Sequence, residues 1–159
     1  MAHFAKIGDD NLVEDVIVID NLVVDPDTTG TDNEQLGKDY IADVLKLDGT
    51  WVQTSYNNNI RGTYAGIGHT YNSELDKFQP PKPYPSWTWN NDISEWVAPV
   101  AHPLADVDPN DEDSQPSEIT SKPADEIWFY EWNEDNTAWE LRQWTQADED
   151  ALQGENLGD

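Results

Sequence analysis

Residues 83–100 read PYPSWTWNNDISEWVAPV and place three tryptophans in eighteen residues of an acidic, polar chain. Trp89 is followed by Asn90 and, after five more residues, by Trp96. The spacing recurs as Trp132-Asn133 with Trp139, and as Tyr71-Asn72 with Phe78. Aromatic, Asn, five mostly polar residues, aromatic is the pattern of a β-hairpin. With residues 91–94 as a four-residue loop, Trp89 stands opposite Trp96 across an antiparallel pair, and Trp87, two residues back, shares that face. Such aromatic pairs contribute roughly 0.2–1 kcal/mol each relative to alanine pairs. The same register sets Trp132 opposite Trp139, Tyr130 opposite Leu141 and, unfavourably, Glu131 opposite Glu140, with Arg142 on the diagonal as the compensating charge.

The copies lie eighteen and then forty-three residues apart, so no fixed solenoid or propeller period exists. Outward from them the chain reads as follows. HFAKIGDDNLVEDVIVIDN is two strands joined at Gly8-Asp9-Asp10-Asn11, and the β-branched run Val16–Ile19 predicts a strand buried on both faces. Leu36, Tyr40, Ile41, Val44, Leu45 and Leu47 switch to helical spacing. This predicts a helix over 31–47 with Thr31 and Glu34 as a capping box and Asp48-Gly49 as its stop. TWVQTSY is a further strand. Prolines 80, 81, 83 and 85 predict an extended polyproline II connection between the first two hairpins.

Residues 104–126 hold eight acids, one lysine and three prolines, too little apolar surface for a core, and read as a solvated linker or long loop. The expected class is therefore α+β, mainly β: a small antiparallel core with one helix, aromatic hairpins and proline-rich connections. Its segments are an N-terminal α+β core at 1–60, a hairpin region at 61–103, the acidic linker at 104–126, a tryptophan-rich hairpin at 127–146 and an acidic tail at 147–159, helical or frayed.

The 159 residues carry 33 acids and 8 bases, a formal charge of −25. A field of that sign repels phosphate backbones and anionic lipid surfaces, so neither nucleic acid nor membrane is an expected partner. It also suits high ionic strength, where salt screens self-repulsion. Without cysteine, disulfide and thiolate chemistry are excluded. The opening MAHFAKIGDD has neither the basic nor the apolar region of a signal peptide, and no window approaches a membrane span.

Chemistry-bearing patterns are sparse. His3, His69 and His102 lack the spacing that places two imidazoles on one helix face. Glycines 62, 66 and 68 match neither a phosphate loop nor a dinucleotide fingerprint. Asp106, Asp108, Asn110 and Glu112 alternate oxygen ligands as a calcium loop does, but Asp111 stands where such a loop needs glycine, so a solvated acidic loop is the expectation. No catalytic residue, resident metal or cofactor is predicted. For Trp89, Trp96, Trp132 and Trp139 packing outweighs exposure, yet a two-stranded hairpin is marginal alone and must cover something, another chain included.

MAHFAKI, TWVQTSYNNNIRGTYAGIGHTYN (50–72), PPKPYPSWTWN (80–90) and WVAP (96–99) resemble small virion-associated proteins of marine tailed phages, especially those of cyanobacteria. The resemblance covers roughly residues 1–100, brings no catalytic residues, and does not extend to the segment from 104 onward. It implies a virion component assembled in the host cytoplasm. Joined to the residue reading, it predicts a non-enzymatic capsid decoration (cement) protein contacting the major capsid protein or other virion proteins, with self-association possible. Tyr84, Trp87, Trp89 and Trp96 are the expected contacts, with Arg61, Tyr64 and Tyr71 of the 61–71 segment. The alternative is a tail, fibre or adaptor part whose Trp128, Tyr130, Trp132 and Trp139 stack on host glycans or contact a receptor. A lysis or sugar-cleaving enzyme is a third, weaker reading, because thirty-three acids supply carboxylate pairs without marking any.

Overall fold

A computed structural model describes residues 1–156 of the chain. Strand β1 (Ala2–Ile7) is the middle of a three-stranded antiparallel sheet, flanked by β2 (Val13–Ile19) and β3 (Thr50–Thr54). Strand alternation sends Phe4 to one face and Ala5 to the other, and both are fully buried. Phe4 joins Ile19, Val24, Ile41 and Trp51 under helices α1 (Asn21–Val24) and α2 (Glu34–Asp43). Ala5 joins Val13, Val52, Ala65 and Phe78 under the 61–66 loop and the first hairpin. Helix α2 lies so close that a Cβ at Gly37 would collide with the Phe4 ring. The architecture is the expected small, mainly-β α+β fold.

Two local expectations are corrected. First, the helix is shorter than 31–47. Its N-cap is Asn33, whose side chain accepts from Gln35 N at 3.0 Å, and no Thr31–Glu34 capping box forms because the Glu34 carboxylate is used in tertiary contacts. The helix ends at Val44, ahead of Asp48-Gly49, and Lys46 adopts φ 57° in the turn that follows. Ile41 is buried, whereas Val44, Leu45 and Leu47 stay exposed. Second, β2 is an edge strand rather than one buried on both faces: Ile19 is 5% exposed but Val18 is 47%. Its β-branched run reports strand propensity, while the strand's place in the sheet sets its burial.

The hairpins follow the predicted spacing. In β4 (Thr70–Asn72) and β5 (Lys77–Gln79), Tyr71 pairs with Phe78. Strands β6 (Thr88–Asn90) and β7 (Glu95–Val97) form a second two-stranded sheet in which the Trp89 and Trp96 rings meet edge to face at 5.4 Å. In β8 (Trp128–Asn133) and β9 (Ala138–Gln143), Trp132 pairs with Trp139, Tyr130 with Leu141 and Glu131 with Glu140. Arg142 Nε donates to Glu131 at 2.8 Å, and Glu140 accepts from Asn133 and Asn136, so the like charges are separately satisfied.

The Asn of the repeat has a mechanical role. The side-chain oxygens of Asn72 and Asn90 each accept from two loop amides, and that of Asn133 from one. These side chains hold the start of each loop. Every loop then closes through a left-handed residue that is not glycine: Asp76, Ser94 and Thr137, at φ 50°, 55° and 49°.

The chain divides into two compact units, one of residues 1–83 with 89–97 and one of 84–88 with 98–159. The first contains the sheet, α1, α2 and the first two hairpins. In the second, the acidic 104–126 segment is more than a plain linker: it forms a 3-10 turn (Glu112–Ser114) and helix α3 (Ser117–Thr120). Glu118 of α3 accepts from the Tyr130 hydroxyl, and the Lys122 ammonium sits 4.1 Å from the Trp128 ring centroid. The 80–85 connection is not uniformly extended, because Trp87 N bonds back to Tyr84 O at 3.1 Å in a turn. Of the tail, α4 (Gln146–Asn156) is helical, and residues 157–159 lie outside the described residues.

Candidate functional site

In the first unit, the outward edge of β3 is covered by side chains rather than by another strand. Gln53 N donates to the Glu34 carboxylate at 2.9 Å, and Gln53 O accepts from Arg61 Nη1 at 2.9 Å. Arg61 also bonds Glu34 through Nη2 at 2.9 Å and Asp76 through Nε at 2.7 Å. Tyr71 Oη adds a 2.6 Å bond to Asp76. Although burial alone opposes its charge, these carboxylates push the Arg61 pKa up; burial and Asp76 push the Tyr71 phenol up. Glu34 and Asp76 are both held below the ordinary carboxylate range by their hydrogen bonds and the guanidinium, against the opposing effect of burial. Arg61 and Tyr71, both expected at a partner surface, are thus committed to internal bonds that tie α2, β3 and the first hairpin together.

Above this clamp opens a cleft of about 1170 Å³ lined by Asp32, Glu34, Gln53, Tyr56, Asn57, Asn59, Arg61 and Asp76, with His3 and Val18. A tight turn builds its rim. Asn58 N bonds Ser55 O at 3.1 Å, which puts Tyr56 and Asn57 at the turn's centre, and Asn58 itself is left-handed at φ 57°. Asn58 Oδ1 then accepts from Tyr64 N at 2.8 Å, and Thr54 Oγ1 from Ala65 N at 3.0 Å, pinning both ends of the 55–65 loop. Tyr56 is 70% exposed, yet its ring is not loose: it stacks on His3 at 6.1 Å and 25°, and Tyr64 meets both rings edge-on at 5.5 Å. Burial, helped by the positive amino terminus, lowers the His3 pKa, so the imidazole under Tyr56 is neutral at pH 7.

In the second unit the aromatics pack on one another. Trp132, 4% exposed, meets Trp139 at 5.3 Å and Trp87 at 6.1 Å, both edge to face. Trp87 also contacts Tyr84 at 5.5 Å and Trp139 at 5.9 Å. Glu134 orients this cluster by accepting from Ser86 N, Ser86 Oγ and Trp132 Nε1. Burial and the Glu118 carboxylate push the Tyr130 phenol up to about 12. Trp128 is covered on one side by Lys122 and bonded to Glu126 at 2.8 Å. In the first unit, Trp96 Nε1 donates to Pro80 O at 2.8 Å and its ring carries Lys82 at 5.5 Å.

Two exposed apolar side chains on the hairpins sit at loop tips, and a third, Val97, lies on strand β7. Leu75 and Ile93 occupy the third loop position of the first two hairpins, at 39% and 56% exposure, where the third hairpin has Asn136. The oxygen-rich 106–112 segment does not converge on a point: Asp108 Oδ1 accepts from Asn110 N, and Asp111 Oδ1 from Asp113 N. Among the described residues no group of three or more His, Asp or Glu is arranged to hold a metal ion. The histidines are likewise scattered: His69 has a buried, unpartnered Nδ1, and His102 packs edge-on against Trp139 at 4.5 Å.

Sequence reading included Tyr64 but missed Tyr56, Asn57, Asn59 and Asp32. The available signal was SYNNN directly after a strand, a tight-turn composition that lifts an aromatic out of the sheet. The chain matches no protein-family model, no curated protein and no solved structure. Among the described residues, no helix is long and apolar enough to cross a membrane.

Proposed function

We propose that the protein is a non-enzymatic structural component of a tailed-phage virion, a capsid decoration subunit that contacts the major capsid protein. The observation that supports this reading is the pair of hairpin tips. Asn72 and Asn90 brace their loops so that Leu75 and Ile93 stand in water on ordered protrusions. Apolar surface held that way gains roughly 25 cal/mol per Å² when a partner covers it, with little further ordering to offset the gain. The charge of −25 favours basic patches on that partner and disfavours nucleic acid and anionic membranes. The resemblance of residues 1–100 to virion-associated proteins points to the same setting.

Quantitative mass spectrometry of purified virions tests the reading. A copy number near that of the major capsid protein, or a simple fraction of it, is the expected result. A few copies per particle would move the protein to the tail or a vertex, and absence would remove it from the virion. Ile93→Asp should lower particle occupancy without changing the fold, because the side chain is already more than half exposed.

A further inference from the structure

We propose that the cleft over β3 is a binding site for a neutral saccharide, one sugar ring stacking on Tyr56 while its hydroxyls exchange hydrogen bonds with Asp32, Asn57 and Asn59. The argument begins with the platform. An aromatic residue 70% exposed in water is normally free to move, but the Tyr56 ring is flanked by His3 and Tyr64, and its turn is closed by the Asn58 and Thr54 bonds. The loop is organised before any ligand arrives, which lowers the entropy lost on binding. A phenol ring combines an apolar face with a polar tip, matching the apolar C–H face and polar rim of a pyranose.

The polar lining selects among ligand classes. Two of the cleft's carboxylates, Glu34 and Asp76, are already bound by Arg61, and Glu34 also lies 3.2 Å from Lys38, so their charge is largely cancelled. Arg61 in turn has Nε, Nη1 and Nη2 committed to Asp76, Gln53 and Glu34, and the field of a chain at −25 opposes an anion. A cationic ligand would find a single uncompensated carboxylate, Asp32, which already accepts from Gln53 Nε2 at 2.6 Å. Met1 brings the chain's positive amino terminus to the lining near His3, and the amides of Asn57 and Asn59, which follow Tyr56 in the same loop, are uncharged. Each offers both a donor and an acceptor, the pairing that vicinal hydroxyls need. A concave site with one apolar platform and a few oriented polar groups has the composition of a small-molecule site.

The site is distinct from the hairpin tips, and its test is separate from the virion test. Isotope-labelled protein is titrated with neutral hexaoses of glucose, mannose and N-acetylglucosamine, with sorbitol as an open-chain polyol control and hexa-arginine as a cation control. Saturable amide shifts at Tyr56, Asn57 and Asn59 with at least one hexaose, and none with sorbitol, are expected. Tyr56→Ala should weaken that binding roughly tenfold or more while leaving the remaining spectrum in place, and Tyr56→Phe should retain it. Absence of saturable shifts with all three hexaoses at millimolar concentration would overturn the proposal. So would binding indifferent to Tyr56→Ala, or saturation at these residues by hexa-arginine alone. A protein found at full copy number on virions but silent in this titration would lose the saccharide site and keep the decoration reading.

Discussion

Arg61 joins Glu34 and Asp76 in the first unit, and Arg142 joins Glu131 and Asp148 in the second, through bonds of nearly equal length. The surroundings differ. The Arg61 side chain is 18% exposed and also bonds Gln53 O on a sheet edge, whereas the Arg142 side chain is 37% exposed and lies 4.6 Å over the Phe129 ring. The carboxylates raise both guanidinium pKa values, and Asp148 is held far below the carboxylate range chiefly by Arg142. Geometry alone therefore does not rank the two clamps. What separates them is access of water and salt, because screening acts on exposed pairs and much less on partly buried ones.

The largest expected effect tests that separation. Arg61→Met leaves Glu34 with Lys38 as its remaining cation, takes the guanidinium from Asp76 and uncovers Gln53 O, and should destabilise by about 2–3 kcal/mol. The loss should persist at about 1 M salt, where the Debye length has fallen to about 3 Å. Arg142→Met should give a smaller loss, most of which disappears at that salt concentration. Denaturant titrations of both variants at low and high salt decide it, and equal, equally screened losses would break the comparison.

A second test uses pH, with an effect of intermediate size. The first unit holds His3 and His69, both with pKa values lowered mainly by burial from an ordinary 6.5. The unfolded chain takes up these protons more readily than the folded one, so stability rises with pH in this range: it is full above 6.5 and falls as pH drops below it. The clamp carboxylates act later. Glu34, Asp76 and Asp148 have lowered pKa values, so their contribution is present above the unfolded values of 4.5 and 3.8 and is lost in stronger acid. Amide exchange followed between about pH 7.5 and pH 5 should show protection falling in β1–β3 before it falls in β8–β9. A His69→Gln variant, free of the buried imidazole, should flatten that slope, and identical slopes in the two units would count against the histidine account.

Much of this architecture is legible in the residues, and the boundary of legibility has a physical form. The hairpin code is local: an Asn that bonds its own loop and two aromatics at fixed spacing specify Tyr71 with Phe78 and Trp132 with Trp139, including the Glu131–Glu140 clash and its relief by Arg142. Glu34 shows where local reading stops, since its chemistry fits a capping box but its carboxylate is claimed by Gln53 and Arg61, nineteen and twenty-seven residues away. Val18 is exposed because β2 is an edge, a property of strand order rather than of composition. The cleft escapes for the same reason, since Tyr56 becomes a platform only when β1 brings His3 beneath it.

The smallest effect sharpens the comparison at the level of single loops. Ser94 and Thr137 close equivalent hairpin loops in the left-handed region, at φ 55° and 49°. For a residue with a Cβ this conformation costs roughly 1–2 kcal/mol, and a β-branched side chain is the worst case. Thr137 receives little in return, its hydroxyl reaching Glu134 O only at 3.4 Å. Ser94 is anchored: its hydroxyl lies 3.0 Å from Lys77 Nζ, and its carbonyl accepts from Thr63. Thr137→Gly should therefore stabilise the protein by about 1 kcal/mol, while Ser94→Gly should be neutral or destabilising because relief of backbone strain is offset by the lost Lys77 contact. Denaturation midpoints of the two variants measure the difference. Equal gains would mean that the Lys77 contact contributes nothing to the folded state.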